Sequence, residues 1–202
     1  MRPLLVTAGA TRNPVDAMRY LSACSSGGTG AWLADRLAPA DLLGSPEALL
    51  RTGNGQPFGS TRDLLARMER WVRAHPGGVV VHAAAVGDYE VAADASKIPS
   101  GQPALTLTLT PTPKVIDHVL GWDPGCRLVG FKAAAPGTTP SELERIARAL
   151  MDRTGAVAVF CNVIGDLDAT CALADGASFT PFATRQEALE ALAKRIDALR
   201  SD

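Results

Sequence analysis

The sequence predicts an α/β protein in which helices cover both faces of a mostly parallel sheet, giving three layers. Short continuous apolar runs alternate along the chain with stretches whose apolar residues recur at helical spacing. Continuous apolar runs suit strands that are buried on both faces, as the strands of a parallel sheet are. A regular alternation of strands and helices is typical of this three-layer architecture.

Apolar runs rich in Val, Leu and Ala predict four buried strands, at residues 3–8, 78–89, 127–131 and 156–162. A further strand is expected near residues 178–180.

Two weaker candidates, residues 40–43 and 48–52, flank a Gly-Ser-Pro turn. At residues 105–110, Leu and Thr alternate strictly, which predicts a strand with one solvent-facing side. We expect that strand to belong to an arm or an edge hairpin.

Four segments predict helices that pack an apolar stripe against the sheet. The first covers residues 31–38, and the second begins at Ser60 or Thr61, either of which can cap the free N–H groups. The third is capped near residues 139–141, and the fourth covers residues 184–199.

Composition bounds the class of protein. A chain of 202 residues suits one domain, and we assign residues 1–202 to a single nucleotide-binding, ligase-like domain. Twenty basic and twenty-one acidic residues leave a net charge of -1, which argues against a nucleic-acid partner. No run approaches the roughly 18 apolar residues of a membrane span, so we expect a cytoplasmic protein that does not bind membranes.

The four cysteines are far apart, with no histidine at metal-ligand spacing, so we expect no metal site built from protein side chains. Cys161 lies in an apolar run and is expected to be a small core residue.

Small residues follow the first strand, at the edge of the sheet where α/β proteins bind ligands. Gly9 and Thr11 come directly after that strand, and the run Ser25–Gly30 reads SSGGTG before the first helix. Glycines let backbone N–H groups approach phosphate oxygens, and a helix start favours anions. The loop therefore predicts a phosphate-bearing ligand, although a plain surface loop explains SSGGTG equally well when it is taken alone.

Five segments taken together resemble the phosphopantothenate-cysteine ligase family. They are VTAGATRNPVDAMRYLSACSSGGTG from Val6, HAAAVGDY from His82, Lys97 in SKIP, VGFKAAA from Val129, and the pair Cys161-Asn162. The family has these motifs in the same order, on a Rossmann-like fold.

The resemblance implies a reaction in two steps. CTP or ATP, with Mg²⁺, activates a carboxylate as an acyl-nucleotide, and an amine then forms an amide. By resemblance the substrates are phosphopantothenate and cysteine, in coenzyme A biosynthesis, and the protein is a homodimer that uses an extended arm. Lys97 matches the catalytic lysine, which offsets the charge that builds up on the leaving phosphates.

The resemblance also assigns the binding residues. Those expected to bind the nucleotide are Gly9, Thr11, Ser25, Ser26, Gly27, Gly30, Ala84, Ala85, Asp88, Phe131 and Asn162. Those expected to bind the substrate are Arg12, Arg19 and Ala23. Both arginines have a dimer contact as an alternative role, and Arg19 also has that of a solvated loop residue. Asp88 has the alternative role of capping a nearby N–H group, and Phe131 that of a core aromatic.

Several residues depart from the family pattern. Ala23 stands in place of an asparagine that is associated with the acyl-nucleotide intermediate, and Gly28 in place of a lysine. Thr112 and Lys114 replace an asparagine and an aspartate. These changes leave three alternatives to the default ligase: a relative that acts on another substrate, one that stops at nucleotidyl transfer, and a non-catalytic nucleotide-binding protein.

Overall fold

The computed structural model describes residues 1–167 and 170–202, and it is built around an eight-stranded sheet in the order β12-β11-β10-β9-β6-β1-β4-β5. The strands are parallel except β11, which is antiparallel to both of its neighbours. Their bounds are β1 Leu4–Ala8, β4 Asp41–Gly44, β5 Gln56–Pro57, β6 Val79–His82, β9 Arg127–Ala134, β10 Ala158–Val163, β11 Cys171–Asp175 and β12 Ser178–Phe182.

Two short hairpins lie outside this sheet, and both leave from its carboxyl edge. The first pairs β2 (Arg12–Pro14) with β3 (Tyr20–Ser22) directly after β1. The second pairs β7 (Tyr89–Glu90) with β8 (Thr110–Pro111), and the chain between them, residues 91–109, is called the arm below.

The described residues form the α-helices α1 Gly28–Arg36, α2 Pro46–Thr52, α3 Thr61–Ala74, α4 Val119–Trp122, α5 Pro140–Thr154 and α6 Arg185–Ser201. A 3-10 turn, Val115–His118, precedes α4. One core cluster joins α1 and α6 to one face of the sheet, and a second joins α3, α4 and α5 to the other. The three layers and the mostly parallel sheet confirm the predicted fold class.

Local capping explains where three helices begin. Ser60 accepts a hydrogen bond from the backbone N–H of Asp63, and Thr184 accepts one from that of Glu187. Thr139 forms a capping box with Glu142 at the start of α5. Each cap satisfies backbone donors that have no partner inside the helix.

The structure corrects two predictions and adds one strand. Residues 48–52 are helical, because Ser45 caps α2 and Pro46 occupies its first turn. Residues 105–109 form no strand, since the arm pairs with β7 only at Thr110–Pro111. The strand β11 was missed: CALAD is a short run, and its placement depends on pairing with β10.

Two buried side chains illustrate how the layers are closed. Cys161 is fully buried and its thiol donates to the carbonyl of Ala172, which confirms its predicted core position. The Arg200 guanidinium is also buried and donates to the carbonyls of Leu37 and Pro39 beyond the end of α1, at 2.6 and 2.7 Å. Among the described residues, none of the helices combines the length and apolar character needed to cross a membrane.

Candidate functional site

Glycines shape the loop between β1 and α1. Gly9 (φ +89°) and Gly27 (φ +72°) have left-handed backbone conformations. A Cβ on Gly27 would lie 2.5 Å from that of Ala48, and one on Gly30 would lie 2.8 Å from the Thr7 carbonyl oxygen. The start of α1 therefore packs directly on the end of β1 and on α2.

The first turn of α1 presents backbone donors. Gly27 caps the helix without a side-chain hydrogen bond, and within the described chain the N–H groups of Thr29 and Gly30 have no acceptor. The Ser25 hydroxyl accepts a hydrogen bond from the Gly27 N–H at 3.3 Å, and the Ser26 hydroxyl accepts one from the Gly28 N–H at 3.4 Å. Unsatisfied N–H groups at a helix start suit a phosphate.

Two arginines that the sequence did not single out flank this turn. Arg51 of α2 donates from Nε to the Ser26 carbonyl at 3.2 Å, and its guanidinium lies 3.9 Å from where a side chain on Gly28 would begin. Arg185, at the start of α6, donates to the Thr29 hydroxyl at 2.7 Å. Positive charge thus lies beside the loop, although residue 28 itself has none.

Two aromatic rings pack together on the face of the sheet that α1 and α6 cover. Phe131 of β9 packs against Phe160 of β10, with ring centroids 5.2 Å apart, and the Arg185 guanidinium lies 5.6 Å from the Phe160 ring centre. Asn162 lies two residues beyond Phe160 on β10 and is buried. Since side chains alternate along a strand, Asn162 and Phe160 share this face. Phe131 is half-buried and packs against the core, as expected for a core aromatic. A contact from Phe131 to the nucleotide base stays a prediction.

The chain after β6 is pinned to the end of β1. Thr7 accepts a hydrogen bond from the Ala84 backbone at 3.1 Å, and Ala85 exchanges backbone bonds with Gly9 and Thr11 at 2.9 and 3.1 Å. The Thr7 hydroxyl also pairs with His82 at 3.0 Å. Burial lowers the pKa of His82 to about 4, so this imidazole is neutral near pH 7.

Thr11 is fully buried and supports these loops. Its hydroxyl accepts from the Gly87 backbone at 2.9 Å and pairs with the Thr61 hydroxyl at 3.1 Å. The side chain is therefore occupied within the protein, and a contact from Thr11 to a ligand stays a prediction.

Asp88 lies at the outer end of the loop after β6, where its exposed carboxylate pairs with Lys114 at 2.5 Å. Its backbone carbonyl accepts from Thr112, whose hydroxyl donates to the Gly87 carbonyl at 2.6 Å. Two of the residues that depart from the family pattern, Thr112 and Lys114, thus contact the predicted nucleotide residue directly.

The predicted substrate residues lie on and around the β2–β3 hairpin. Arg12 forms an ion pair with Glu47 of α2, and its guanidinium lies 4.8 Å from the Tyr20 ring centre. Arg19 pairs with Asp16 at 2.8 Å. Ala23 is exposed after β3 and brings no polar side-chain group to the site.

Lys97 lies in the arm, where its side chain is exposed and, in the part of the chain described, has no hydrogen bond or ion pair. The backbone on either side is held by the turn after β2. The Ala17 N–H donates to the Ser96 carbonyl at 3.3 Å, and the Ile98 N–H donates to Asp16 at 3.1 Å. The ammonium group is thus unpaired on an anchored segment.

Over residues 1–167 and 170–202, no three His, Cys, Asp or Glu side chains are grouped to hold a metal ion. Asp88 is an exposed carboxylate at the carboxyl edge of the sheet. Mg²⁺ commonly binds through one or two carboxylates together with substrate phosphates, and this arrangement fits that mode.

Residues 1–198 match the family described as DNA/pantothenate metabolism flavoprotein C-terminal domain. The chain belongs to this family. The resemblance stated from the sequence motifs is therefore confirmed at the level of the family.

A curated relative of this family member is the coenzyme A biosynthesis bifunctional protein CoaBC of Thermococcus kodakarensis. The two are 39% identical over 170 residues, which cover 80% of this chain and 41% of the relative. The chain thus spans about two fifths of that protein's length.

Solved structures share the fold of this family member. The DNA/pantothenate metabolism flavoprotein from Streptococcus pneumoniae has a TM-score of 0.82 at 23% identity, covering 98% of this chain and 99% of its own. The C-terminal domain of a CoaBC protein has a TM-score of 0.76 at 22% identity, covering 100% and 97%. A Cab2 mutant in complex with phosphopantothenate-cysteine has a TM-score of 0.75 at 17% identity, covering 100% and 89%.

Sequence reasoning missed Asp16, Arg51 and Arg185 in this family member. Asp16 stands inside a quoted motif, so its position in VDAMR was a usable signal. Arg51 and Arg185 lie in ordinary amphipathic helices, and nothing local distinguishes them from surface cations.

Proposed function

We propose that the chain is a nucleotide-dependent ligase that activates a carboxylate as an acyl-nucleotide and then forms an amide. The observation that carries this proposal is the family match over residues 1–198, combined with an uncapped α1 start. By the same reasoning the substrates are phosphopantothenate, cysteine and CTP, with ATP as the alternative nucleotide. Phosphopantothenate and cysteine are supported by the CoaBC relative, a protein of coenzyme A biosynthesis, and by the Cab2 structure, which is a complex with phosphopantothenate-cysteine. The nucleotide follows from the resemblance alone.

The first step is nucleotidyl transfer. The substrate carboxylate attacks the α-phosphorus, the bond to the bridging oxygen breaks, and pyrophosphate leaves with the electron pair. The N–H groups of Thr29 and Gly30 are free to bind phosphate oxygens, and the unpaired ammonium of Lys97 offsets the charge that develops. The Asp88 carboxylate, which also pairs with Lys114, would hold a Mg²⁺ ion bound with the nucleotide, and that ion would supply further neutralisation of the phosphates.

The second step is amide formation. The amine attacks the acyl carbon, the carbon–oxygen bond breaks, the nucleoside monophosphate leaves, and the amine loses a proton to solvent. Ala23 has no donor or acceptor side chain, so the β2–β3 hairpin contributes backbone groups and arginines here. Arg12 and Arg19 on that hairpin are the cations that we assign to the phosphate of phosphopantothenate.

The test is to incubate the purified protein with CTP or ATP, Mg²⁺, phosphopantothenate and cysteine. Release of pyrophosphate and of the monophosphate is followed together with the mass of the amide product. We expect equal amounts of pyrophosphate and amide. Pyrophosphate without amide indicates a nucleotidyl transferase, and binding without cleavage indicates a non-catalytic protein; either result contradicts the proposal.

Two lysine variants test the assignment of Lys97. We expect Lys97→Met to lower the rate of pyrophosphate release roughly a hundredfold, because loss of one stabilising charge typically costs about 3 kcal/mol. Lys194→Met, on the exposed side of α6, is the matched control and should retain the rate. Equal rates for the two variants would remove Lys97 from the mechanism.

A homodimer and a cytoplasmic location are also part of the proposal, and both derive from the resemblance. Light scattering during size-exclusion chromatography measures the oligomeric state, with a mass near twice 21.0 kDa expected.

A further inference from the structure

The carboxylate of Asp16 is buried in the turn between β2 and β3 and accepts four hydrogen bonds. Oδ1 accepts from the backbone N–H groups of Met18 and Arg19, at 2.8 and 2.7 Å. Oδ2 accepts from the Arg19 guanidinium at 2.8 Å and from the Ile98 backbone at 3.1 Å. The side chain is completely inaccessible to solvent.

The two oxygens of Asp16 therefore have different roles. Oδ1 closes the local turn at residues 16–19, whereas Oδ2 joins that turn to the arm, 82 residues further along the chain. The backbone bond from Met18 is the largest cause that lowers the pKa of Asp16, with contributions from Ile98 and Arg19. The carboxylate is consequently ionised near pH 7 and remains an acceptor.

Further contacts fix the same stretch of the arm. The Asp94 N–H donates to the Val15 carbonyl at 3.0 Å, and the Ser96 carbonyl accepts from the Ala17 N–H at 3.3 Å. Two side chains contact Ile98, directly after Lys97: Asp16 accepts from the Ile98 N–H at 3.1 Å, and the Arg19 guanidinium donates to the Ile98 carbonyl at 3.5 Å. An exposed lysine with no partner of its own depends on its backbone for its position.

We propose that Asp16 is a positioning residue that fixes the backbone of Lys97 against the turn that carries Arg19. The inference rests on the function proposed above, because Lys97 is the cation assigned to the leaving phosphates. Asp16 does not contact the substrate; it sets the register between the arm and the β2–β3 hairpin. Loss of its Oδ2 acceptor keeps the two Oδ1 bonds of the turn and removes the bond that holds the Ile98 N–H, so the arm loosens beside Lys97.

Asp16→Asn separates the two roles. The Asn carbonyl oxygen retains the acceptor for Met18 and Arg19, whereas its NH₂ group faces the two donors that Oδ2 accepted from. Asp94→Asn is the matched control, because that carboxylate bonds only Ser96 within the arm through Oδ1. The amide oxygen of the introduced asparagine can accept the same two hydrogen bonds from Ser96 that Asp94 Oδ1 accepts.

Hydrogen exchange of the Ile98 amide, measured by NMR on the free protein, tests the contact without any substrate. We expect at least roughly tenfold faster exchange in Asp16→Asn and an unchanged rate in Asp94→Asn. Steady-state kinetics of pyrophosphate release tests the consequence. Since small misplacements of a catalytic group cost about tenfold to a hundredfold, kcat of Asp16→Asn should fall by that factor while the KM for CTP changes less than threefold.

The outcomes are separable. Unchanged Ile98 exchange in Asp16→Asn overturns the inference, and so does a kcat within twofold of the wild type. A rise in the KM for CTP that equals the fall in kcat/KM, with kcat preserved, also overturns it, because a positioned catalytic cation acts on kcat. If the wild-type protein cleaves no nucleotide, the proposed function fails, while the exchange measurement still decides whether Asp16 anchors the Lys97 segment.

Discussion

Substitution of Gly27 by alanine should destabilise the protein through two separate effects. The backbone at Gly27 is left-handed (φ +72°), which costs a residue with a Cβ about 1–2 kcal/mol. The added Cβ would also lie 2.5 Å from that of Ala48 and 2.9 Å from the Gly9 nitrogen. Overpacking of this kind typically costs about 1–3 kcal/mol, so the expected total is about 2–5 kcal/mol.

Gly53→Ala is the matched control for this prediction. Gly53 has a similar backbone (φ +66°), but an added Cβ there meets nothing within 4 Å. Only the left-handed penalty of about 1–2 kcal/mol then applies. The difference between the two variants isolates the cost of the contact between the loop and α2.

Urea unfolding followed by circular dichroism measures both variants. With an m-value of about 3 kcal/mol/M, a contact that costs about 1–3 kcal/mol should place the midpoint of Gly27→Ala roughly 0.3–1 M below that of Gly53→Ala. Coincident midpoints would refute the reasoning, since they would show that the loop yields to a methyl group without loss of stability.

Three further predictions concern charge and burial. Burial lowers the pKa of His82 to about 4 in the folded protein. Between about pH 6.5 and pH 4 this imidazole is therefore protonated in the unfolded chain and neutral in the folded one. Stability should fall by about 3 kcal/mol between pH 6.5 and pH 4, and urea titrations should show that His82→Gln lacks this contribution. Arg200→Met leaves the Leu37 and Pro39 carbonyls without their donor and should lower the free energy of unfolding by about 2–4 kcal/mol. Arg153→Met removes an exposed ion pair and should lower it by less than about 1 kcal/mol. Similar urea midpoints for the two variants would contradict the structural role assigned to Arg200. Lys114→Met should change stability by less than about 1 kcal/mol but raise the KM for CTP roughly fivefold, because Asp88 then faces the phosphates without its cation; an unchanged KM would separate Lys114 from the site.

Much of the fold was predictable because burial on both faces leaves a direct mark on a strand. The runs that became β1, β6, β9 and β10 consist mainly of apolar residues, and all four strands lie side by side in the sheet. Amphipathic spacing and caps identified α3, α5 and α6 in the same way. These signals are local, so the sequence contains them in full.

The failures occurred where local pattern and tertiary context disagree. The alternating Leu and Thr of residues 105–109 satisfy the strand pattern, yet Leu105, Leu107 and Leu109 are exposed and the ladder beside β7 ends at Thr110. In contrast, β11 has a weak pattern of its own and is placed by its pairing with β10. A strand needs a partner as well as a pattern.

The sequence by itself determined the three-layer fold, the glycine loop before α1 and the family, because each depends on short segments whose patterns are local and whose order is visible along the chain. Only the tertiary structure decided which partner each charged side chain meets: Asp16 the Ile98 backbone N–H, Lys114 the Asp88 carboxylate, and Arg185 the Thr29 hydroxyl. The last pair is separated by 156 residues. Such contacts depend on the order of strands in the sheet, which sets the neighbours at its carboxyl edge and which no local window of sequence contains.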